Sequence, residues 1–318
     1  MPRKRFHSGE LRLQEQADVR EKIDQQSMRM VRDAMPDQHR KFFEGLEYLF
    51  LATVDDCDQP WVSLLTGSPG FVSSPDPKIL LIKTGEQNDS GALSVLDVGD
   101  SIGVLGIDLS NRRRNRMHGR VSNISKGSIS VTVVQSYGNC PKYISLREVS
   151  ERGLPVEKET TINRDALDAT ARKLISAADT FFIASAMKDG SGEPYEGLDI
   201  SHRGGQPGFV VVDSSSQITI PDYKGNNFFN TFGNLVVNPE VALLFINFET
   251  GDQVQIQGTA VLVEDAVSVA RFAEAQRLLS IRIRSVSHKS GALDLRWRLL
   301  EGSPFSPAAS ANLSNAED

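Results

Sequence analysis

The sequence predicts a mainly β protein with some α (α+β), built as two antiparallel barrels in tandem. Three observations predict it. First, the chain repeats itself. "RKFFEGLEYLFLAT" (40–53) lines up without a gap on "RKLISAADTFFIAS" (172–185), and "VLGIDLSNRRRNRMHGRV" (104–121) on "LLFINFETGDQVQIQGTA" (243–260). "SPGFV" (68–72) answers "QPGFV" (206–210), and "SISVT" (128–132) answers "SIRIR" (280–284), always in the same order. Second, both halves are rich in short β-branched runs with partial alternation, the pattern of half-buried strands. Third, strands and helices do not alternate and no GxGxxG follows a strand, which argues against a doubly wound dinucleotide-binding sheet. An ordered repeat over stretches of roughly 110–140 residues, the usual size of a domain, reads as an internal duplication.

In chain order, residues 1–35 read as a helical N-terminal arm. Residues 36–145 read as the first lobe, where a helix end runs into the apolar strand of "EYLFLAT", the turn "DDCDQPW" (55–61) follows, and "SISVTVV" (128–134) is a later strand. Residues 146–165, "LREVSERGLPVEKETTINRD", are polar, contain Gly153 and Pro155, and read as a linker. Residues 166–303 read as the second lobe, with the turn "KDGSGEPY" (188–195) and strands at "QITIP" (217–221), "VALLFINF" (241–248) and "DQVQIQGTAVLV" (252–263). A short helix is expected inside "NNFFNTFGNLVVNPE" (226–240), stopped at Asn238 because a residue before proline avoids the helical region. A longer helix is expected over 265–279, with Asp265 as N-cap and Val269, Phe272 and Leu279 on its apolar face. Residues 304–318 are small and polar and are expected to be disordered.

Bulk properties exclude several classes. The net charge is -6, and no apolar run approaches the ~18 residues of a membrane helix. The opening "MPRKRFHSGELRLQEQ" lacks the apolar core of a secretory signal, and Glu10 and Glu15 argue against a transit peptide, so a cytoplasmic location is expected. Cys57 and Cys140 are too few for a disulfide framework or a metal cluster, and the five histidines show no zinc spacing. No GxSxG or Ser-His-Asp pattern is present. Against this acidic background "NRRRNRMHGR" (111–120) stands out. It lacks the aromatic residues that stack on bases, so nucleic acid is not the expected partner. Read as a strand, it puts Arg112, Arg114, Arg116 and His118 on one face. The equivalents of 114, 116 and 118 are Gln253, Gln255 and Gln257. Clustered cations need an anion or carboxylates opposite. A bound phosphate would satisfy them, and so would acidic groups from the other lobe or the arm.

"PYEGLDISHRGGQPGFVVV", then "ITIPDYKGNNFFNTFGNLVVNPEVALLF" and "DQVQIQG", resemble the pyridoxamine 5′-phosphate oxidase-like flavin-binding split barrels. The order strand, "PDYxGN", helix, "NP", apolar strand, "QVxIxG" is the specific part. "FHSGE" and "LRWRLLEGSPFSP" are similar to a long, tandem subgroup of flavin-nucleotide-binding proteins, so the resemblance covers nearly the whole chain. It implies two tandem antiparallel split β-barrels forming an intrachain pseudo-dimer, with FMN at the seam. One barrel offers phosphate-binding strand ends and a helix start; the other offers the "QVxIxG" strand, whose glutamine meets the flavin ring. The implied activity is an FMN-dependent oxidoreductase acting on an unknown small molecule. The alternative is a non-catalytic module holding flavin, deazaflavin or haem. Better-known oxidases carry an Arg-x-x-x-x-Lys strand and a Ser-Arg-Lys helix start; here the regions read "GLDISHRGG" and "GNNFFNTFGN".

Candidate cofactor-binding residues follow. Ser201, His202 and Arg203 precede a Gly-Gly turn that lets backbone approach a ligand. Asp222, Tyr223, Asn226, Asn227 and Asn230 sit at a strand-to-helix junction, where N–H groups favour a phosphate and amides suit a flavin. The alternative for the asparagines is helix capping and turn shaping. Arg112, Arg114 and Arg116 come from the first lobe. The mirror seam would join Gln253 to Lys83, Thr84 and Asn88 of "LLIKTGEQNDSG" (80–91). The two seams are chemically unequal, so one flavin site per chain is expected, on the His202 side. Cys140 is expected to pack in a turn, Trp297 to pack in the core, and His7 to be exposed without a role. Both a monomer with paired lobes and a homodimer are compatible with the sequence.

Overall fold

The computed structural model of the protein describes residues 5–55, 57–85, 93–154, 161–188 and 190–307. Helices α1 (Ser8–Gln16) and α2 (Arg20–Met30) occupy the N-terminal stretch, and α3 (Asp37–Glu44) leads into the first lobe. Strands β1 (Tyr48–Val54), β2 (Pro60–Thr66), β3 (Val72–Asp76), β4 (Ile79–Lys83), β5 (Ser101–Asp108), β6 (Arg113–Ser125) and β7 (Ser128–Gly138) form one sheet, ordered β2-β1-β5-β6-β7-β4-β3. Strands β8 (Leu146–Glu151) and β9 (Thr161–Arg164) follow. After α4 (Ala169–Ala177), the second lobe contains β10 (Thr180–Met187), β11 (Gly197–Gly204), β12 (Val211–Val212), β13 (Gln217–Asp222), α5 (Asn230–Val237), β14 (Glu240–Ile246), β15 (Gln253–Val263), α6 (Ala266–Val269) and β16 (Arg277–Lys289). Its sheet repeats the first order strand for strand, β11-β10-β14-β15-β16-β13-β12. The last strand is β17 (Arg296–Glu301). The protein is thus mostly β, in antiparallel sheets, with two domains of like topology.

The likeness extends to single residues. The β6–β7 register slips between His118 and Gly119, and the β15–β16 register slips between Gln257 and Gly258, one bulge at the aligned position of each lobe. A Cβ on Gly119 would lie 2.2 Å from the Thr132 carbonyl oxygen, and one on Gly258 2.2 Å from that of Arg282. Only glycine allows backbone to approach a bulge this closely.

Alternation explains why β1 and β10 carry apolar residues on both faces. Leu49 and Leu51 of β1 enter the core of the first lobe, and Phe181 and Ile183 of β10 that of the second. The intervening Phe50, Ala52, Phe182 and Ala184 meet in a third core between the lobes. There the Phe50 and Phe182 rings stack with centroids 3.6 Å apart. Strands buried on both faces lose the polar alternation of a one-sided sheet. Trp297 closes this core, edge-on to Tyr48 and Phe248 at 5.3 and 5.5 Å, as expected of a packing residue.

Two expectations change. The stretch 146–165, expected to be a linker, carries strands among its described residues: β8 pairs with β17, and β9 with β16. Its polar composition suits edge pairing as well as a tether. The helix expected over 265–279 is only α6, four residues long. Glu274 then takes a left-handed φ of 58°, and from Arg277 the chain pairs as β16, so strand pairing overrides helical spacing. Of the expected disordered tail, residues 308–318 lie outside the described residues.

Candidate functional site

A cleft lies between the lobes, with about 890 Å³ of empty space counting its open mouth. The second lobe supplies Ser201, His202 and Arg203 of β11, Asp222 at the end of β13, the 223–229 connection and the start of α5. The first lobe supplies Arg114 and Arg116 of β6 with Asn139, Cys140, Lys142 and Tyr143 beyond β7. Side-chain contacts tie the walls together. The Asn226 amide donates to Asn139 (3.4 Å), the Tyr143 hydroxyl donates to the Lys224 carbonyl (3.0 Å), and the Tyr143 and Tyr223 rings lie 5.7 Å apart.

On β11 the period of two sends Leu198 and Ile200 into the inter-lobe core, while Asp199, Ser201 and Arg203 take the other face. Arg203 donates to Asp222 at 3.0 Å, and Arg277 approaches the same carboxylate at 3.4 Å. The two guanidinium groups cover the Phe232 and Phe229 rings at 4.7 and 4.8 Å. Burial raises the pKa of Asp222 against the pull of both arginines. The Ser201 hydroxyl accepts from Thr231 (3.1 Å), which also contacts Asp199 (3.2 Å).

Helix α5 begins without a side-chain cap; Phe229 at its N-cap has a left-handed φ of 61°. Asn230 does not cap the helix, because its amide donates to Glu10 of α1 at 2.6 Å. Asn226 follows the turn-shaping alternative, accepting from the Phe228 N–H at 3.1 Å. Asn227 sits beside it with a left-handed φ of 61°.

The arginine face of β6 crosses to the second lobe. Arg114 donates to the carbonyls of Cys140 (2.9 Å) and His202 (3.3 Å). Arg116 forms a buried ion pair with Asp199 and lies over the Tyr137 ring, and its Nε has no hydrogen-bond partner. His118 bonds the Pro194 carbonyl at 2.8 Å. Burial, reinforced by Arg116 and Arg203, lowers the pKa of Arg114 to about 9. His202 is 4% exposed and neither ring nitrogen is bonded to another residue; burial and then Arg114, Arg147 and Arg203 hold it neutral, well below the usual imidazole range.

Ten of the expected residues therefore line one cleft: Arg114, Arg116, Ser201, His202, Arg203, Asp222, Tyr223, Asn226, Asn227 and Asn230. Arg112 and Gln253 do not. Arg112 precedes β6 with a left-handed φ of 60°, which takes it off the strand's alternation. It serves the Ile144 carbonyl and Glu301 instead. Gln253 is absent from the cleft lining, and the next glutamines on its strand face meet the first lobe instead. Gln257 donates to the Pro60 carbonyl (3.1 Å) and Asp55 (2.8 Å), and the Gln255 amide, turned to suit, bonds both backbone groups of Val62. Asn88 lies outside the described residues. The Gly-Gly turn serves packing: a Cβ at Gly204 would meet the Tyr143 carbonyl oxygen at 2.1 Å, and one at Gly205 the Phe209 ring at 2.4 Å.

Sequence reading missed Asp199, Thr231, Arg277 and Glu10. Asp199 was legible, two residues before Ser201 on a strand of period two. Arg277 and Glu10 carry no local signal, since both arrive through tertiary packing. His7, expected to be exposed, is buried. Its Nδ1 accepts from the Gly9 N–H (3.2 Å), so Nε2 donates to Asn234 (2.9 Å).

The sequence model of the pyridoxamine 5′-phosphate oxidase family matches residues 35–151 and 167–295. The chain belongs to that family, once in each lobe. Solved structures that match part of the chain include a candidate pyridoxamine 5′-phosphate oxidase of Lactobacillus delbrueckii (17% identity, 40% of this chain and 97% of that one, TM-score 0.31). Others are a FAD-binding protein of Mesorhizobium loti (14%, 41% and 98%, TM-score 0.28) and a FMN-binding protein of Syntrophomonas wolfei (10%, 37% and 82%, TM-score 0.29). No curated protein matches the chain.

Proposed function

We propose that the chain is an FMN-binding flavoprotein, with the flavin in the inter-lobe cleft, acting as an oxidoreductase on a small molecule. One observation carries this reading. The cleft joins an uncapped helix start to Arg114, Arg116, Lys142 and Arg203, while Asp222 is the one carboxylate among its described lining residues. A helix N-terminus and arginines together suit a phosphate. The amide of Asn227 adds a polar position for the rest of a flavin nucleotide. The bound flavin supplies hydride or electron transfer; the protein positions it and tunes it by hydrogen bonding.

Both walls come from one chain, so the site needs no second copy, which favours a monomer with paired lobes. The shared strand order and the aligned bulges support an internal duplication. Among the described residues no helix is long and apolar enough to cross a membrane, and a cytoplasmic location remains our reading. The test is an absorbance spectrum of the purified protein with mass spectrometry of the released cofactor. FMN supports the reading, FAD corrects it, and a colourless protein that leaves added FMN fluorescence unquenched overturns it. Reoxidation coupled to a metabolite distinguishes an enzyme from a binding module.

A further inference from the structure

The N-terminal helix α1 is built into the cleft from behind. Gly9 and Gly233 cross so closely that a Cβ on Gly9 would lie 2.1 Å from the Gly233 carbonyl oxygen, and one on Gly233 2.5 Å from the Glu10 side chain. Four contacts from α1 and its N-cap converge on α5 and the residues just before it. His7 bonds Asn234, Gln14 donates to the Phe228 carbonyl (3.2 Å), Gly9 packs on Gly233, and Glu10 accepts from Asn230. Asn230 and the neighbouring Phe229, Thr231 and Phe232 are cleft wall. The α5 start thus depends on α1 for its support.

Glu10 is the unusual member. It is 3% exposed, with one oxygen accepting from Asn230 and the other from the His7 N–H at 3.0 Å. The groups that face it are His7 from its own helix cap, Arg116 from β6 and Tyr137 from β7. His7 also bonds the Gly9 N–H and Asn234, and Arg116 is paired with Asp199. Burial lifts the pKa of this carboxyl from 4.5 to about 8, against the pull of its hydrogen bonds from His7 and Asn230 and of Arg116.

We propose that α1 is a strap that completes the cleft, and that Glu10 is its positioning residue, holding Asn230 at the start of α5. Because burial raises the pKa of this carboxyl, docking takes up a proton. The sign follows from linkage: a carboxyl whose docked pKa is raised stabilises docking fully at low pH. That stability is lost as pH rises from 4.5 towards about 8 and is level above. The strap rests on the flavin reading only for its effect on flavin affinity.

The test is hydrogen exchange of the α1 amides in the full, flavin-free chain between pH 5 and 9, corrected for intrinsic rates, for wild type and Glu10→Gln. Glutamine keeps the shape and cannot ionise, and the Asn230 amide can turn to meet it. Expected for wild type is protection that falls by up to about tenfold per pH unit, one proton's worth, across roughly pH 5–8. Expected for Glu10→Gln is protection without that slope. A flat wild-type profile, or equal slopes in both proteins, overturns the proposal. FMN affinity, measured by quenching at pH 6 and 8, is expected to weaken in wild type and hold in Glu10→Gln. If FMN binds neither protein while the exchange slopes differ as expected, the flavin reading falls and the strap stands.

Discussion

Arg203 and His202 adjoin on β11 yet have opposite roles. Arg203 faces the cleft, held by Asp222 and the Phe232 ring. Replacing it by alanine is expected to weaken flavin binding by about 10- to 150-fold, the range for a lost hydrogen bond to a charged group. Fluorescence titration reads this directly. His202 lies against Phe182 with unbonded ring nitrogens, a buried base that must stay neutral. Its folded pKa is below the unfolded value of 6.5, so the unfolded chain binds more protons and stability falls as pH drops through that value. The urea midpoint should therefore decrease between pH 7.5 and 5.5, and less so in His202→Leu. His118, lowered by burial to about 4, leaves a residual acid sensitivity in that variant.

At the scale of elements, the paired bulges set how β6 and β15 present their polar faces. Gly119→Ala forces a methyl group against the Thr132 carbonyl oxygen, 2.2 Å from its ideal position. Such overpacking against backbone is expected to cost about 1–3 kcal/mol or more by chemical denaturation. Gly302→Ala, with nothing within 4 Å, is expected to stay within about 0.5 kcal/mol of wild type and serves as the control. The strand alternation that put Arg114, Arg116 and His118 on one face was legible in the sequence. The exclusion of Arg112 was not, because a left-handed residue ahead of β6 cannot be read from a run of like residues.

For the whole molecule, the lobes are joined by a core and the cleft exists only because they are joined. Phe182→Ala removes the stacked partner of Phe50 and is expected to cost about 3–5 kcal/mol, the range for a buried aromatic. Because each cleft wall comes from a different lobe, flavin affinity should fall with it. Calorimetry together with the fluorescence titration checks both effects. Arg203→Ala, by contrast, should change affinity with little effect on the inter-lobe core.

By itself the sequence determined the repeated β architecture and the shared face of Arg114, Arg116 and His118, since period-two alternation and an ordered self-alignment are local properties of the chain; the seam and the second-lobe residues expected there came from the family resemblance. It also determined that the two seams differ, arginines in one and glutamines in the other. Only the tertiary structure decided that the glutamine seam is occupied by backbone contacts, that the Gly-Gly turn accommodates Tyr143 and Phe209, and that an N-terminal helix reaches across the chain to support α5. The physical reason is range. Strand faces and turns are set by neighbours in sequence. A buried carboxyl such as Glu10 acquires its chemistry from Asn230 and Arg116, groups brought beside it only when the chain is packed.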